Sequence, residues 1–265
     1  MAYQTLLFDV SDGLAKITLN RPEKYNALTV KMYGELLTVF KQCARDRAIR
    51  AVLLTGAGKA FSTGADLLEL QSQLADIDIS EALRQGLNQI VLAIRQLEKP
   101  VVAVINGVVA GAGGGIALAC DMRITSDQAS FVFAAFSNIG IIPDAGTTYF
   151  LPQLVGVSKA LELCLLADGE NRISPEEALQ LGIVNHVVPH AELMTNARAI
   201  GEQMAQMATV AVGLTKRAMY KSVERSLSQA LETEAQLQSV TFQTHDFQEG
   251  VMAFIQKRRP QFKGE

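Results

Sequence analysis

The sequence predicts an α/β fold in which buried strands alternate with amphipathic helices and a helical region ends the chain. Two continuous apolar runs, residues 51–55 and 101–105, have the composition of strands that are covered on both faces. Each run follows a stretch with apolar residues at helical spacing, the first from Thr29 onward and the second over residues 80–97. After Pro189 nearly every segment has helical periodicity. Strand and helix thus repeat before the helical region begins.

The N-terminal segment predicts a β-hairpin. Residues 6–10 and 14–19 are short apolar or alternating runs on either side of Asp12-Gly13, a dipeptide typical of two-residue turns. Arg21-Pro22 ends the second strand. We expect Thr29 to cap the helix that follows, because threonine accepts hydrogen bonds from free amides at a helix start.

The middle of the chain predicts further short elements. Residues 122–125 and 130–133 are strand candidates, 157–167 are helical, and 183–188 form one more strand. Between the last two, Ser174, Pro175 and Glu177 have the spacing of a capping box, with proline at the first helical position, and Gly182 closes that helix. These elements complete a core over residues 1–190. The helical region, residues 191–265, follows without a Gly/Ser linker and is expected to pack on its own core or on that of a neighbouring chain.

Composition limits the possible classes of function. The 265 residues are 49% hydrophobic and carry 24 Lys and Arg against 27 Asp and Glu, which gives a net charge of −3. Such a chain buries a large core, and it has no broad basic face for nucleic acid. Cys43, Cys120 and Cys164 are far apart, so we expect free thiols in a reducing cytoplasm. The first residues resemble no signal peptide.

Residues 101–120 are uncharged over the length of a membrane span. They also contain five glycines, each of which weakens a helix by about 1 kcal/mol. We interpret the segment as a strand, a glycine loop and a helix start, with a membrane segment as the alternative. No membrane partner is expected.

Residue counts disfavour metal and hydrolase sites. The chain has three histidines, His186, His190 and His245, and none has a cysteine at ligand-like spacing. There is no G-x-S-x-G motif for a nucleophilic serine. The glycine run 111–115 lacks the pattern of a dinucleotide or P-loop site.

Two glycine loops, residues 60–66 and 106–114, each lie between a predicted strand and a predicted helix. Small residues let backbone amides approach a ligand closely, and two such loops could converge on one carbonyl oxygen that becomes negative. The alternative is that the glycines only allow tight packing of strand against helix.

Four separated motifs resemble the crotonase family, the enoyl-CoA hydratase/isomerase superfamily. They are Phe61-Ser62-Thr63-Gly64-Ala65-Asp66-Leu67, the segment from Asn106-Gly107 to Cys120-Asp121, Gly140-Ile141-Ile142-Pro143-Asp144-Ala145-Gly146, and the segment from Ala178 to Val184. The resemblance implies a spiral of repeated ββα units with a helical C-terminal region that forms trimers or dimers of trimers. It also implies an acyl-CoA thioester as substrate, with the amides of Ala65 and Ala112 as its oxyanion hole.

The resemblance further implies a set of substrate contacts for the CoA and acyl groups. They are Lys24, Asn26, Ala27, Leu28, Ser62, Gly64, Asp66, Leu67, Leu70, Gly111, Gly115, Phe133, Phe136, Phe254 and Lys257.

The positions at which this sequence departs from the family pattern favour isomerisation over hydration. Hydratases of the family place one glutamate at the position of Gly115 and another at that of Phe136, and neither residue here moves a proton. Asp144 instead resembles the acidic residue of a branch with Δ3,Δ2-enoyl-CoA isomerases and the ring-oxepin-forming isomerase of phenylacetate degradation. Apolar neighbours in sequence are expected to raise its pKa. The alternative is that Asp144 caps the next helix.

We therefore predict an isomerase of fatty-acid or phenylacetate metabolism that moves a double bond from 3-enoyl-CoA to 2-enoyl-CoA. Asp144 carries the proton, and no metal or redox cofactor is required. Three alternatives remain: a hydratase, a dehalogenase that uses Asp144 as nucleophile, and a non-catalytic acyl-CoA-binding or RNA-binding protein.

Overall fold

The fold is a spiral in which pairs of strands alternate with helices. The structure is a computed structural model that describes residues 3–73, 78–133, 140–166 and 170–265. Its strands are β1 (Leu6–Ser11), β2 (Leu14–Leu19), β3 (Ala51–Gly56), β4 (Ala60–Ser62), β5 (Val101–Ile105), β6 (Val108–Ala110), β7 (Met122–Ser126), β8 (Ser130–Val132) and β9 (His186–Val188).

The helices occupy the connections and the end of the chain. They are α1 (Val30–Arg45), α2 (Leu67–Gln73), α3 (Ile79–Gln85), α4 (Leu87–Gln96), α5 (Ala112–Ala119), α6 (Thr147–Val155), α7 (Val157–Leu165), α8 (Pro175–Gln180), α9 (Leu193–Ala205), α10 (Thr209–Ser222), α11 (Leu227–Thr241) and α12 (His245–Ile255).

The strands form two sheets that wind together. Six described strands follow the order β1-β2-β3-β5-β7-β9, and β4, β6 and β8 form a smaller parallel sheet. Only the β1–β2 pair is antiparallel among the described ladders. The successive pairs β3/β4, β5/β6 and β7/β8 each give one strand to each sheet. This repetition confirms the predicted ββα spiral.

Local signals in the sequence fix several element boundaries as predicted. Asp12 and Gly13 have φ values of 53° and 79° in the β1–β2 turn. The Thr29 side chain accepts a hydrogen bond from the Met32 amide at 3.2 Å and so caps α1. Ser174 caps α8 through the Glu177 amide at 3.1 Å.

Two predicted elements differ from the structure. The helix expected over 80–97 is divided into α3 and α4 at Gly86, where the Tyr33 ring is so close that a Cβ would lie 3.0 Å from its Cδ2. The strand expected over 183–188 begins only at His186, because the amides of residues 183 and 184 both donate to the Ala178 carbonyl and close α8. Of the predicted helix 157–167, α7 covers 157–165, and residue 167 lies outside the described residues.

Residues 101–120 contain β5, β6 and α5, which confirms the strand, glycine loop and helix start and excludes the spanning helix. Within the described ranges, no helix has the length and apolar character needed to cross a membrane. The strands β4 and β6 lie in the segments predicted as loops. Each has only three residues, too few for a pattern to show in the sequence.

Helix α9 joins the helical region to the core. Its buried residues Leu193, Ala197 and Ala205 pack with Leu14 and Leu53 on one face of the large sheet. The first helix after residue 190 therefore packs on the core of its own chain. The predicted boundary between 1–190 and 191–265 stays a prediction.

Candidate active site

The two glycine loops meet at the start of α5. A Cβ placed on Gly64 would lie 2.8 Å from the Ala112 nitrogen and 3.1 Å from the Ala110 oxygen, which is closer than packing allows. One on Gly113 would lie 2.5 Å from the Ser62 oxygen. Side chains at these positions would push the loops apart, so the glycines bring the two backbones together.

Two backbone amides at this junction are free to bind an oxygen. Ala65 forms a parallel bridge with Leu28, in which Leu28 donates to the Gly64 carbonyl and Asp66 donates to the Leu28 carbonyl, at 2.8 and 2.9 Å. Within the described ranges the Ala65 amide has no acceptor, and neither does the Ala112 amide at the first position of α5. Free amides at a helix start favour a negative oxygen.

Hydrogen bonds hold the first loop in place. The buried Ser62 hydroxyl donates to the Asn26 carbonyl at 2.9 Å and accepts from the Gly64 amide at 3.2 Å. The Asn26 side chain is fully buried and donates to the carbonyls of Ala57 and Ala60 at 2.9 and 2.7 Å. Both side chains, predicted as substrate contacts, thus support the loop that carries Ala65.

A partly buried ion pair fixes the end of the same loop. Arg21 Nη1 lies 2.9 Å from Asp66 Oδ2 and also donates to the Ala27 carbonyl at 2.7 Å. Burial alone would raise the pKa of Asp66, but the Arg21 guanidinium and the backbone amides of Glu69 and Leu68 together lower that pKa below its ordinary value. Asp66 is therefore a charged anchor of the loop and a poor proton acceptor.

Asp144 is the carboxylate at this junction with the properties of a base. Its Oδ1 is buried without a hydrogen-bond partner among the described residues. Burial raises its pKa to about 6, and the bond from its own amide lowers it less. The cap position of α6 is taken by Gly146, which excludes the alternative that Asp144 is a helix cap. The prediction of a raised pKa is confirmed.

The burial of Asp144 has a different origin from the one expected. Its sequence neighbours Ile141 and Ile142 are 47% and 79% exposed and contribute little to its desolvation. Instead, Ala145 is 1% exposed and lies directly on α5 at Gly115. The turn that carries Asp144 therefore packs on α5 through Ala145.

Gly115 shows why a second carboxylate is missing. A Cβ at this position would lie 2.4 Å from the Ala145 Cβ and 2.6 Å from its oxygen. The backbone next to Asp144 thus fills the space that a glutamate at position 115 would need. Because Gly115 follows Ala112 by three residues, it lies on the same side of α5, about one helical turn from that free amide.

Tyr33 of α1 is a site residue that no sequence motif marks. Desolvation raises the pKa of its phenol, and the charges of Asp144 and Glu69 raise it further. Tyr33 thus faces both carboxyl groups and stays neutral. Only the apolar periodicity of α1 marked it, and that pattern does not separate a core tyrosine from a site tyrosine.

The other predicted contacts lie in several environments. Phe133 is buried with its ring against Gly114, Leu70 is half-buried, and Leu67 is 49% exposed on α2. Lys24 is exposed in the turn after β2.

Two further predicted contacts are on the surface. Phe254, which is 85% exposed, and Lys257 lie at the end of α12. Phe136 lies outside the described residues. These contacts stay predictions.

Comparison with known proteins places the chain in a family. Residues 9–265 match the sequence model described as Enoyl-CoA hydratase/isomerase. The chain is 37% identical over 262 residues to the 1,2-epoxyphenylacetyl-CoA isomerase of Escherichia coli, with 98% of each chain covered. It is 35% identical over 262 residues to the short-chain-enoyl-CoA hydratase of Clostridium acetobutylicum, which covers 98% of this chain and 97% of that one.

A solved structure agrees with the sequence comparisons. The enoyl-CoA hydratase of Bacillus anthracis superposes with a TM-score of 0.90 at 35% identity, over 99% of this chain and 100% of that chain. The protein is therefore an enzyme of the enoyl-CoA hydratase/isomerase family, with the crotonase fold. Relatives with both activities are similar to it, so the choice between the two reactions depends on the site.

Proposed function

We propose that the protein is an enoyl-CoA isomerase that moves a double bond from the 3-position to the 2-position of an acyl-CoA thioester. The observation that carries this proposal is Asp144, the described carboxylate beside the junction of the two loops that has a buried oxygen without a hydrogen-bond partner. The Ala145 backbone fills the space at Gly115, where a hydratase of the family would need a second acid.

The reaction begins with the thioester carbonyl oxygen between the amides of Ala65 and Ala112. These donors stabilise the dienolate that forms when the α-proton leaves, by about 3 kcal/mol for each good donor. Asp144 takes the proton from the α-carbon and returns it to the γ-carbon, so the carboxylate ends in its starting state. A pKa of about 6 leaves Asp144 ionised at neutral pH yet more basic than an ordinary aspartate.

Hydration is the second candidate, and similarity to the C. acetobutylicum hydratase favours it. It requires one group to activate water and a second to deliver a proton. Glu69 interacts electrostatically with Tyr33, as Asp144 does, but it also accepts the Val30 amide at 3.1 Å. The carboxylate best placed to assist Asp144 is thus engaged at the start of α1, which favours isomerisation.

The test offers 3-hexenoyl-CoA and crotonyl-CoA separately and follows the ultraviolet absorbance of the conjugated thioester. We expect absorbance to appear with 3-hexenoyl-CoA and Asp144→Asn to lower that rate about 10²- to 10⁴-fold, the usual contribution of a proton-transfer group. Glu69→Gln is the matched control and should retain the rate. Loss of crotonyl-CoA at equal rates in the wild type and Asp144→Asn would refute the proposal.

We further propose that residues of the β2–α1 segment and of the α12 end bind the CoA group of the substrate. We also propose that the reaction needs no cofactor. Lys24 is exposed there and suits a phosphate, while Phe254 and Lys257 come from this chain or from a neighbour. The acyl group would pass Leu70 and Phe133. Binding of desulfo-CoA and CoA to Lys24→Ala and Lys257→Ala, measured by calorimetry, tests these roles.

The helical region is proposed to assemble trimers or dimers of trimers. Helix α11 has no buried residue in the single chain, and Leu227, Phe254 and Ile255 are 75%, 85% and 66% exposed. Apolar surface of this extent favours coverage by other copies. Light scattering after size exclusion should give three or six chains, and a monomer would contradict the proposal.

A further inference from the structure

Two orphaned oxygens lie within one turn of the chain. Among the residues that the structure describes, the buried side-chain nitrogen and oxygen atoms without a hydrogen-bond partner are Asp144 Oδ1 and Thr147 Oγ1. A buried polar atom left unpaired costs about 1–3 kcal/mol, so such atoms are rare in folded proteins. That both occur three residues apart at the proposed base indicates a shared role.

The backbone directs both groups to the same place. The Thr147 amide donates to the Asp144 carbonyl at 2.9 Å. This bond closes a four-residue turn, residues 144–147, that leads into α6. Thr147 is the first residue of α6 and only 1% exposed. Because side chains on a helix tilt toward its N-terminus, a side chain at the first position of α6 is directed toward the turn that carries Asp144.

The chemistry of the two groups is complementary. An ionised carboxylate only accepts hydrogen bonds, whereas a threonine hydroxyl has one hydrogen to donate. A threonine in a helix often donates to the carbonyl of the preceding turn, but the Thr147 hydroxyl makes no such bond within the described ranges. Its donor is therefore available to the carboxylate.

Resting on the proposed isomerase function, we propose that Thr147 is a positioning residue that donates its hydroxyl hydrogen to Asp144 Oδ1 while Asp144 is ionised. The bond passes through one water molecule, because the two oxygens do not bond to each other directly. It fixes the carboxylate rotamer and leaves the second oxygen to take the α-proton. It also stabilises the charged form, which offsets part of the desolvation of Asp144.

Charged and polar groups of α1, α2 and α4 lie on the elements around the carboxylate. Tyr33 of α1 interacts electrostatically with Asp144, and Glu69 of α2 interacts with Tyr33. Arg95 of α4 lies over the Phe150 ring of α6, 4.9 Å from its centroid. Helix α5 contains only Ala, Gly, Ile and Leu. Tyr33 and Thr147 both have a neutral hydroxyl without an acceptor in the described ranges, and Thr147 is the one that is almost fully buried in the same turn as Asp144.

The test compares Thr147→Val, Thr147→Ser and Thr148→Val. Valine replaces the hydroxyl by a methyl group of similar shape, serine keeps the hydroxyl, and Thr148 is an exposed neighbour on the same helix. We expect Thr147→Val to lower kcat about 3- to 10-fold below pH 6, the equivalent of one hydrogen bond, with KM unchanged. The acidic limb of its kcat–pH profile should move to higher pH, while Thr147→Ser and Thr148→Val keep the wild-type profile.

The possible failures can be told apart. If Asp144→Asn keeps its activity, the proposed function itself is wrong. If Asp144→Asn is inactive while Thr147→Val has the wild-type profile, only the role of Thr147 is refuted. A Thr147→Val rate loss that is equal at every pH, or that serine does not rescue, also refutes it by showing a packing effect. Urea unfolding at pH 4, where Asp144 is protonated and the proposed bond is absent, should show that Thr147→Val is as stable as the wild type.

Discussion

The contact between Gly115 and Ala145 leads to a sharp prediction, because one methyl group at Gly115 should displace the catalytic turn. In Gly115→Ala the new Cβ would lie 2.4 Å from the Ala145 Cβ, whereas ordinary contacts begin at 3.4 Å. Ala145 must therefore retreat by about 1 Å, and Asp144 moves with it. A misplacement of about 1 Å at a reacting group costs on the order of 100-fold in rate.

The stability of the same variant follows from two opposing effects. Alanine is favoured over glycine within a helix by about 1 kcal/mol, while overpacking a filled core costs about 1–3 kcal/mol. The free energy of unfolding should therefore fall by about 0–2 kcal/mol in total. Gly34→Ala is the matched control, since Gly34 is exposed on α1 and a Cβ there meets no atom within 4 Å.

The assay combines urea unfolding with turnover of 3-hexenoyl-CoA in both variants. The free energy of unfolding of Gly34→Ala should rise by up to about 1 kcal/mol, and its turnover rate should not change. Gly115→Ala should be less stable than Gly34→Ala and should also lose activity. If Gly115→Ala were stabilised like Gly34→Ala and turned over normally, the Ala145 backbone would not fill this space. The explanation for the missing glutamate would then fail as well.

Three further outcomes follow from the structure. Because burial raises the pKa of Asp144 to about 6, kcat/KM should rise with pH through about pH 6. The buried charge of Asp144 also lowers the stability of the folded protein above the pKa that this group has in the unfolded chain. Asp144→Asn should therefore raise the free energy of unfolding more at pH 7 than at pH 4, as urea titrations at both pH values can show. Lys216→Met should lower that free energy by about 1–3 kcal/mol, because the partly buried Asp121 carboxylate loses the ammonium at 2.9 Å and keeps only the Val101 amide and the Tyr220 hydroxyl as donors. Exposed Lys221→Met should change it by less than about 0.5 kcal/mol. Asp246→Asn should lower the free energy of unfolding by about 1–3 kcal/mol and expose the C-terminal tail to proteolysis. The reason is that the buried Asp246 carboxylate accepts hydrogen bonds from the amides of Lys263 and Gly264 at 2.7 and 2.8 Å.

Local patterns in the sequence were sufficient for most of the fold. The apolar runs that became β3 and β5, the cap at Thr29 and the start at Ser174 depend on residues within a few positions of one another, and all were confirmed. The division of the helix at Gly86 was not predicted, and the Tyr33 ring that lies against Gly86 is more than 50 residues away in the chain. Periodicity carries no information about such a contact.

The candidate site likewise combines features that the sequence shows with features that depend on tertiary contacts. Small residues after buried strands marked both glycine loops in the sequence, and the resemblance to the crotonase family selected Asp144 as the base. Only the tertiary structure showed that Gly64 reaches Ala112, that Gly115 supports Ala145 and that Thr147 shares the orphaned state of Asp144. Desolvation and close approach depend on which segments pack together, and the exposed neighbours Ile141 and Ile142 show that adjacency in sequence does not determine them.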